Sequence, residues 1–128
     1  MGTYTFHKTE RLCNRSIISR LYESPGKFVA FPLSVYWMLV PNGAIPSRMQ
    51  VLVVAPKRRL HHAVDRNRTK RLMRECWRHC KEPLISLLRQ HDKSMVVGIS
   101  YIHNRPPDFH KLTKSFDTVV KKISSSCQ

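Results

Sequence analysis

Eight side chains in one short stretch have the types and spacing to bind phosphate: Arg66, Asn67, Arg68, Lys70, Arg71, Arg74, Arg78 and Lys81. The stretch from His62 to Arg78 holds no Gly and no Pro, and most of its residues favour helix. At roughly 100° per residue, Leu72, Cys76 and Cys80 fall together, with Thr69 beside them and Met73 and Trp77 at the border. Asn67, Lys70, Arg71, Arg74, Arg78 and Lys81 gather on the other side, flanked by Arg66 and Arg68. A merely solvated helix face carries both signs of charge, because i,i+4 ion pairs support a helix and like pairs weaken it. Here Lys70–Arg74 and Arg74–Arg78 are like pairs, and Asp65 and Glu75 are nearly the only acids among the bases. Such a face implies a polyanion that neutralises it. The preference for arginine fits phosphate, which a flat guanidinium binds through two parallel hydrogen bonds.

Chemistry performed by the protein itself finds less support. Only eight acids are present: Glu10, Glu23, Asp65, Glu75, Glu82, Asp92, Asp108 and Asp117. None are paired at a spacing that suggests metal binding or acid–base work. His61 and His62 are neighbours and would point about 100° apart on a helix, which makes a poor dyad. Cys76 and Cys80, one turn apart, have no second pair at zinc-ligand spacing, and both lie on the apolar stripe. They read as small core residues. Without a signal sequence, the four cysteines are expected as reduced thiols.

The totals agree. The 128 residues fit one domain, 41% are hydrophobic and the net charge is +15, with a pI of about 10.4. That excess points to RNA, DNA or an anionic membrane. No run approaches the roughly 20 apolar residues needed to span a bilayer, and no N-terminal cleavage pattern indicates secretion. The expectation is a cytoplasmic protein with no membrane partner.

The elements that must position the basic face read as follows. Residues 1–12 form a basic, flexible lead-in containing Phe6, His7, Lys8 and Arg11. Asn14 or Ser16 caps a helix that runs to about Glu23, with Ile17, Ile18, Leu21 and Tyr22 at helical spacing. Lys27–Phe31 is a short strand. Leu33–Val40 is a longer one, with Leu33, Val35, Trp37 and Leu39 on one face and Ser34, Tyr36 and Met38 on the other. Pro41-Asn42-Gly43 signals a turn, and Arg48–Ala55 is expected to return beside the second strand as an antiparallel hairpin. The basic helix spans about His61–Lys81, and Pro83 suits the first turn of another helix starting near Glu82. Met95–Ile102 is the last strand, Phe109–Ile123 the last helix, and residues 124–128 a flexible tail. No internal repeat or linker divides residues 1–128.

Ala63-Val64-x-Arg66-Asn67-Arg68-x-Lys70-Arg71-x-x-Arg74-Glu75 resembles the signature of the bacterial ribonuclease P protein family. The resemblance extends to the element order, to the paired base Arg58-Arg59 before the signature, and to the basic lead-in. It implies an α+β fold: a two-layer α-β sandwich of order α-β-β-β-α-β-α. Its four-stranded mixed sheet would contain a left-handed βαβ crossover, as in the second domain of a small-subunit ribosomal protein. It further implies a protein subunit bound to a catalytic RNA, with no further protein partner required. The holoenzyme hydrolyses one phosphodiester of precursor tRNA to remove its 5′ leader. The chemistry resides on the RNA, which holds most of the Mg²⁺, so no catalytic residue is expected in the protein. By the same resemblance, Arg66, Asn67, Arg68, Lys70, Arg71 and Arg74 would dock on the RNA subunit. Ile18, Tyr22, Ser34, Tyr36, Arg58 and Arg59 would bind the leader. Two positions depart from the common pattern: Ile18 stands where Phe is frequent, and His61 where Gly is frequent. His61 reads as an exposed residue of the helix start. Among Ser34 and Tyr36, the polar serine favours an open cleft over simple packing of the tyrosine. The alternatives to this function are a self-sufficient nuclease and a plain basic RNA- or DNA-binding module.

Overall fold

The computed structural model describes residues 10–24 and 26–127. Phe6, His7 and Lys8 of the lead-in lie outside the described residues, as does Gln128. The elements are α1 (Arg15–Glu23), β1 (Lys27–Ala30), β2 (Leu33–Val40), β3 (Met49–Val54), α2 (Ala63–Cys80), α3 (Glu82–Gln90), β4 (Ser94–Tyr101) and α4 (Phe109–Cys127). This is the α+β sandwich with a four-stranded mixed sheet, in the order β1-β2-β4-β3. β2 is antiparallel to β1 and β4, while β3 runs parallel to β4.

The expected β2–β3 hairpin is not formed, because β4 lies between the two strands. Local signals were real: Pro41 accepts from the Ala44 N–H at 3.0 Å, and Gly43 sits at φ +90°. The turn nevertheless fails to send the chain back along β2. Asn42 donates to the Asp92 carbonyl at 3.0 Å and accepts from Ser94 Oγ at 3.1 Å, and Arg48 pairs with Asp92 at 3.2 Å. These bonds fasten the loop to the start of β4. Met95, Val96, Val97 and Ile99 are all fully buried. A run buried on both faces gains most in the middle of a sheet, flanked by two strands.

Parity along the strands assigns the two faces. Leu33 and Val35 of β2, Val51 and Val53 of β3, and Met95, Val97, Ile99 and Tyr101 of β4 bury against α2, α3 and α4. Trp77 of α2 meets Phe116 of α4 edge-on at 6.4 Å. The other face holds Val96 and Val40 under Ile17 and Leu21 of α1, with Tyr36, Met38 and Leu52 at the margin. A Cβ on Gly98 would stand 3.0 Å from Leu21 Cδ2, so this glycine lets α1 settle closely on the sheet.

Caps and ties decide where elements stop. Of the two candidate caps, Asn14 is used, its Oδ1 accepting from the Ile17 N–H at 3.1 Å. Pro83 lies in the first turn of α3, where its missing N–H is harmless. Helix α4 continues through Cys127, so Ser124–Ser126 prolong the helix where a loose tail was expected. The lead-in is also tied down by residue 10. Arg11 bridges Val51 in parallel, the Leu12 N–H donates to the Val51 carbonyl at 2.9 Å, and Leu12 is buried. Glu10 forms an ion pair with Lys81.

Candidate nucleic-acid interface

α2 rests on Thr69, Met73, Cys76 and Trp77, all buried, with Leu72 and Cys80 partly so. The apolar stripe is therefore turned towards Met73 and Trp77, which were expected only at its border. Cys76 and Cys80 belong to this packing. Burial raises both thiols, that of Cys80 to about 12, so they are neutral near physiological pH.

Opposite the stripe, Asn67, Arg68, Lys70, Arg71, Arg74 and Arg78 line one open concavity of about 830 Å³, together with Arg11, Val64 and Glu75. Arg68 and Arg71 are exposed; Lys70 and Arg74 are half-buried. Among the described residues no acid is paired with Arg68, Lys70, Arg71 or Arg74. Burial, followed by the neighbouring Arg11 guanidinium, lowers the Arg74 pKa from the usual arginine value. Arginine remains charged regardless, and a bound anion would offset both the burial and the repulsion from Arg11. Arg11 came from the lead-in. Only its basic type was visible in sequence; the bridge to Val51 brings it here.

Three cations assigned to this face already have partners. Arg66 Nη1 donates to the Leu60 carbonyl at 3.0 Å and the His61 carbonyl at 2.8 Å, holding the approach to α2. These two bonds satisfy carbonyls ahead of the helix and brace its approach; His62, at the N-cap position, makes no side-chain cap bond. Arg78 pairs with Glu75, which also accepts from His79 at 3.0 Å. The Glu75 carboxyl is held below its usual range, chiefly by Arg78. Lys81 is 2% exposed and paired with Glu10, so it does not belong to the basic face. A buried ammonium requires such a partner.

A second surface lies on the other side of the sheet, where α1 covers only part of β2 and β4. Tyr22, 41% exposed, meets half-buried Tyr36 edge-on with ring centroids 4.8 Å apart. Ile18 is half-buried beside them, at the margin of the α1 core. Lys27 Nζ stands 5.4 Å from the Tyr36 ring centroid. Its register opposite Tyr36 makes it a neighbour of this aromatic pair that sequence alone did not single out. Ser34, half-buried, opposes Ser100 on β4 and shares the face of Tyr36 two residues on. Ile18, Tyr22, Ser34 and Tyr36 are thus brought to one side of the sheet.

Arg58 and Arg59 follow β3, whose last residue Val54 is in register with Ser100. They therefore follow the strand out at the Ser34 end of the sheet. Arg58 is exposed. Arg59 Nη1 reaches Asn104 Oδ1 at a long 3.4 Å, and its Nε is buried without a partner among the described residues. His61 is exposed in the same approach to α2.

Among the described residues no helix is long and apolar enough to cross a membrane. The profile of the Ribonuclease P family matches residues 6–124. The ribonuclease P protein components of two Porphyromonas gingivalis strains are 28% and 30% identical over 124 and 126 residues. Those alignments cover 97% and 98% of this chain and 90% of each relative. The component from Chlorobium phaeobacteroides is 34% identical over 85 residues, 61% of this chain and 58% of that protein. Among solved structures, the Staphylococcus aureus RNase P protein superimposes with a TM-score of 0.65 at 17% identity. The superposition covers 89% of this chain and 94% of that one.

Proposed function

The chain belongs to the ribonuclease P protein family, and from that premise we propose that it docks on the catalytic RNA through α2 and holds the 5′ leader of precursor tRNA in the α1–β2 groove. The observation that carries this reading is the separation of two unlike surfaces on opposite sides of one sheet. One is a basic concavity in which Arg68, Lys70, Arg71 and Arg74 have no paired acid among the described residues. The other is an aromatic patch, Tyr22 edge-on to Tyr36 with Lys27 over the Tyr36 ring.

Each surface matches a different nucleic-acid chemistry. Arg68, Lys70, Arg71 and Arg74, with Asn67 among them, suit the phosphates of a structured RNA, which attract cations without regard to sequence. Arg66 would act there by positioning, since it holds the backbone that leads into the helix. Tyr22 and Tyr36 suit unpaired bases, because every base has a face to stack upon. Ser34 would offer a hydroxyl at the groove floor, and Ile18 an aliphatic contact. Arg58 and Arg59 would meet leader phosphates at the exit. Hydrolysis by metal-activated water, with Mg²⁺ held mainly by the RNA, would occur beside the protein, whose part is to fix the substrate.

The test has three arms: precursor tRNA in magnesium with protein alone, RNA subunit alone, and both. Protein alone should leave the precursor intact, and the combination should release the leader at the mature 5′ end faster than RNA alone. Robust divalent-dependent cleavage by RNA-free protein would identify a self-sufficient nuclease. No effect of the protein on cleavage would leave a plain basic binding module.

A further inference from the structure

A third concavity, of about 430 Å³, lies at the Ser34 end of the sheet but outside the groove. It is enclosed by the β1–β2 turn at Phe31-Pro32, the loop after β4 and the first turns of α4. Its floor is Tyr101 and Leu112, both buried. One wall is Phe31, which is 63% exposed although it is a large apolar side chain. His103 faces it at a centroid distance of 5.3 Å and an angle of 56°. Two rings at that angle form an open wedge and leave a ring face unstacked.

The wedge is preformed. Tyr101 donates its hydroxyl proton to the Arg105 carbonyl at 2.6 Å. The Ile102 N–H donates to the Pro32 carbonyl at 2.8 Å, and Ser115 Oγ donates to the Phe31 carbonyl at 3.2 Å. These bonds join the turn, the loop and α4, so a ligand would not have to order them. Exposed Arg105 and Lys111 stand at the rim. The one acid at the rim, Asp108, accepts from the His110 N–H at 2.9 Å and caps α4.

We infer that this wedge takes an unpaired base of the same leader, beyond the stretch held in the α1–β2 groove. The inference rests on the leader-binding reading of that groove. Three observations favour a nucleotide over an apolar peptide. An exposed aromatic face over an apolar floor suits stacking, which is indifferent to base identity. The rim carries two cations for the flanking phosphates. The wedge also lies at the Ser34 end of the sheet, where Arg59 reaches Asn104, the neighbour of both His103 and Arg105.

The experiment uses the reconstituted holoenzyme and precursor tRNAs whose leaders are shortened from the 5′ end one nucleotide at a time. Phe31→Ala should weaken binding of long-leader precursors roughly 5- to 140-fold, the range for one stacked base. It should leave unchanged the binding of leaders short enough to end inside the groove. Phe31→Trp should retain affinity, which shows that a ring is what matters. Arg105→Ala with Lys111→Ala should flatten the salt dependence for long leaders only. Phe31→Ala losses that are absent, or equal at every leader length, would overturn the inference, and so would Phe31→Trp behaving like alanine. Loss of affinity for the RNA subunit without substrate would assign the wedge to that RNA instead. Tyr36→Ala, measured in parallel, separates the two readings. If its effect depends on the leader and that of Phe31→Ala does not, the groove stands and the wedge falls. If neither depends on the leader, both fall.

Discussion

On α2, Arg68, Lys70, Arg71 and Arg74 stand without a paired acid among the described residues, whereas across the sheet Tyr22 and Tyr36 already touch each other. The first surface holds unspent charge. The second holds ring faces, with one cation, Lys27, already over Tyr36. Charge acts at a distance and is screened by salt. Stacking acts at contact and requires the base to be single-stranded. A protein that must hold a folded RNA and a flexible strand at once can keep the two tasks apart by using these two forces on opposite faces. The same contrast explains Arg66, Arg78 and Lys81. They lie on the basic helix or at its end, yet their partners are the Leu60 and His61 carbonyls, Glu75 and Glu10.

The largest effect should come from emptying the charged face. Arg68→Ala, Arg71→Ala and Arg74→Ala combined should weaken RNA-subunit binding on the order of 100-fold, at about 1 kcal/mol per exposed charge contact. The log–log salt slope should flatten by two to three units. The melting temperature should barely move, since these side chains support nothing else. A triple variant that keeps both affinity and slope would reduce the face to a solvated surface.

Next in size is the aromatic groove. Tyr36→Ala should weaken precursor tRNA binding to the holoenzyme roughly 5- to 140-fold while mature tRNA binds as before. The loss should be nearly independent of salt, in contrast to the α2 variant. Equal losses for precursor and mature tRNA would show that Tyr36 supports folding or docking. Gly98→Val should follow, at about 1–3 kcal/mol of stability. Its Cβ would press on Leu21 and lift α1 from the sheet. Leader binding should fall further than RNA-subunit binding in that variant. An equal fall in both would mean that the two faces are not independent.

The smallest change is Ile18→Phe. Ile18 is half-buried at the open margin of the α1 core. A ring there should leave leader affinity unchanged or raise it by a fewfold, read by equilibrium binding of precursor tRNA. A clear weakening would place Ile18 in the core and narrow the groove to the tyrosines.

How much of this was legible beforehand differs by residue, for a physical reason. Helical periodicity is local. The spacing of Leu72, Cys76 and Cys80, with Thr69 beside them, was enough to predict that α2 would bury one side and turn Arg68, Lys70, Arg71 and Arg74 to the other, although the buried line runs through Met73 and Trp77. The bounds of β2, a cap at Asn14 or Ser16 and a helix starting near Glu82 were readable because they too are local. Partnership is not local. Nothing within Leu33–Val54 announces that β4 will enter between β2 and β3. Lys81 looks like any surface lysine until Glu10, far away in sequence, arrives to bury it. The path of the lead-in along β3 carries Arg11 to Arg74, and the seating of Leu21 over Gly98 lays α1 beside Tyr36. The sequence by itself determined which faces are charged, apolar or aromatic, because one turn of helix or two residues of strand set that. Tertiary structure alone decided which faces meet, because that choice depends on closing long loops and burying a strand such as Met95–Ile99 on both sides.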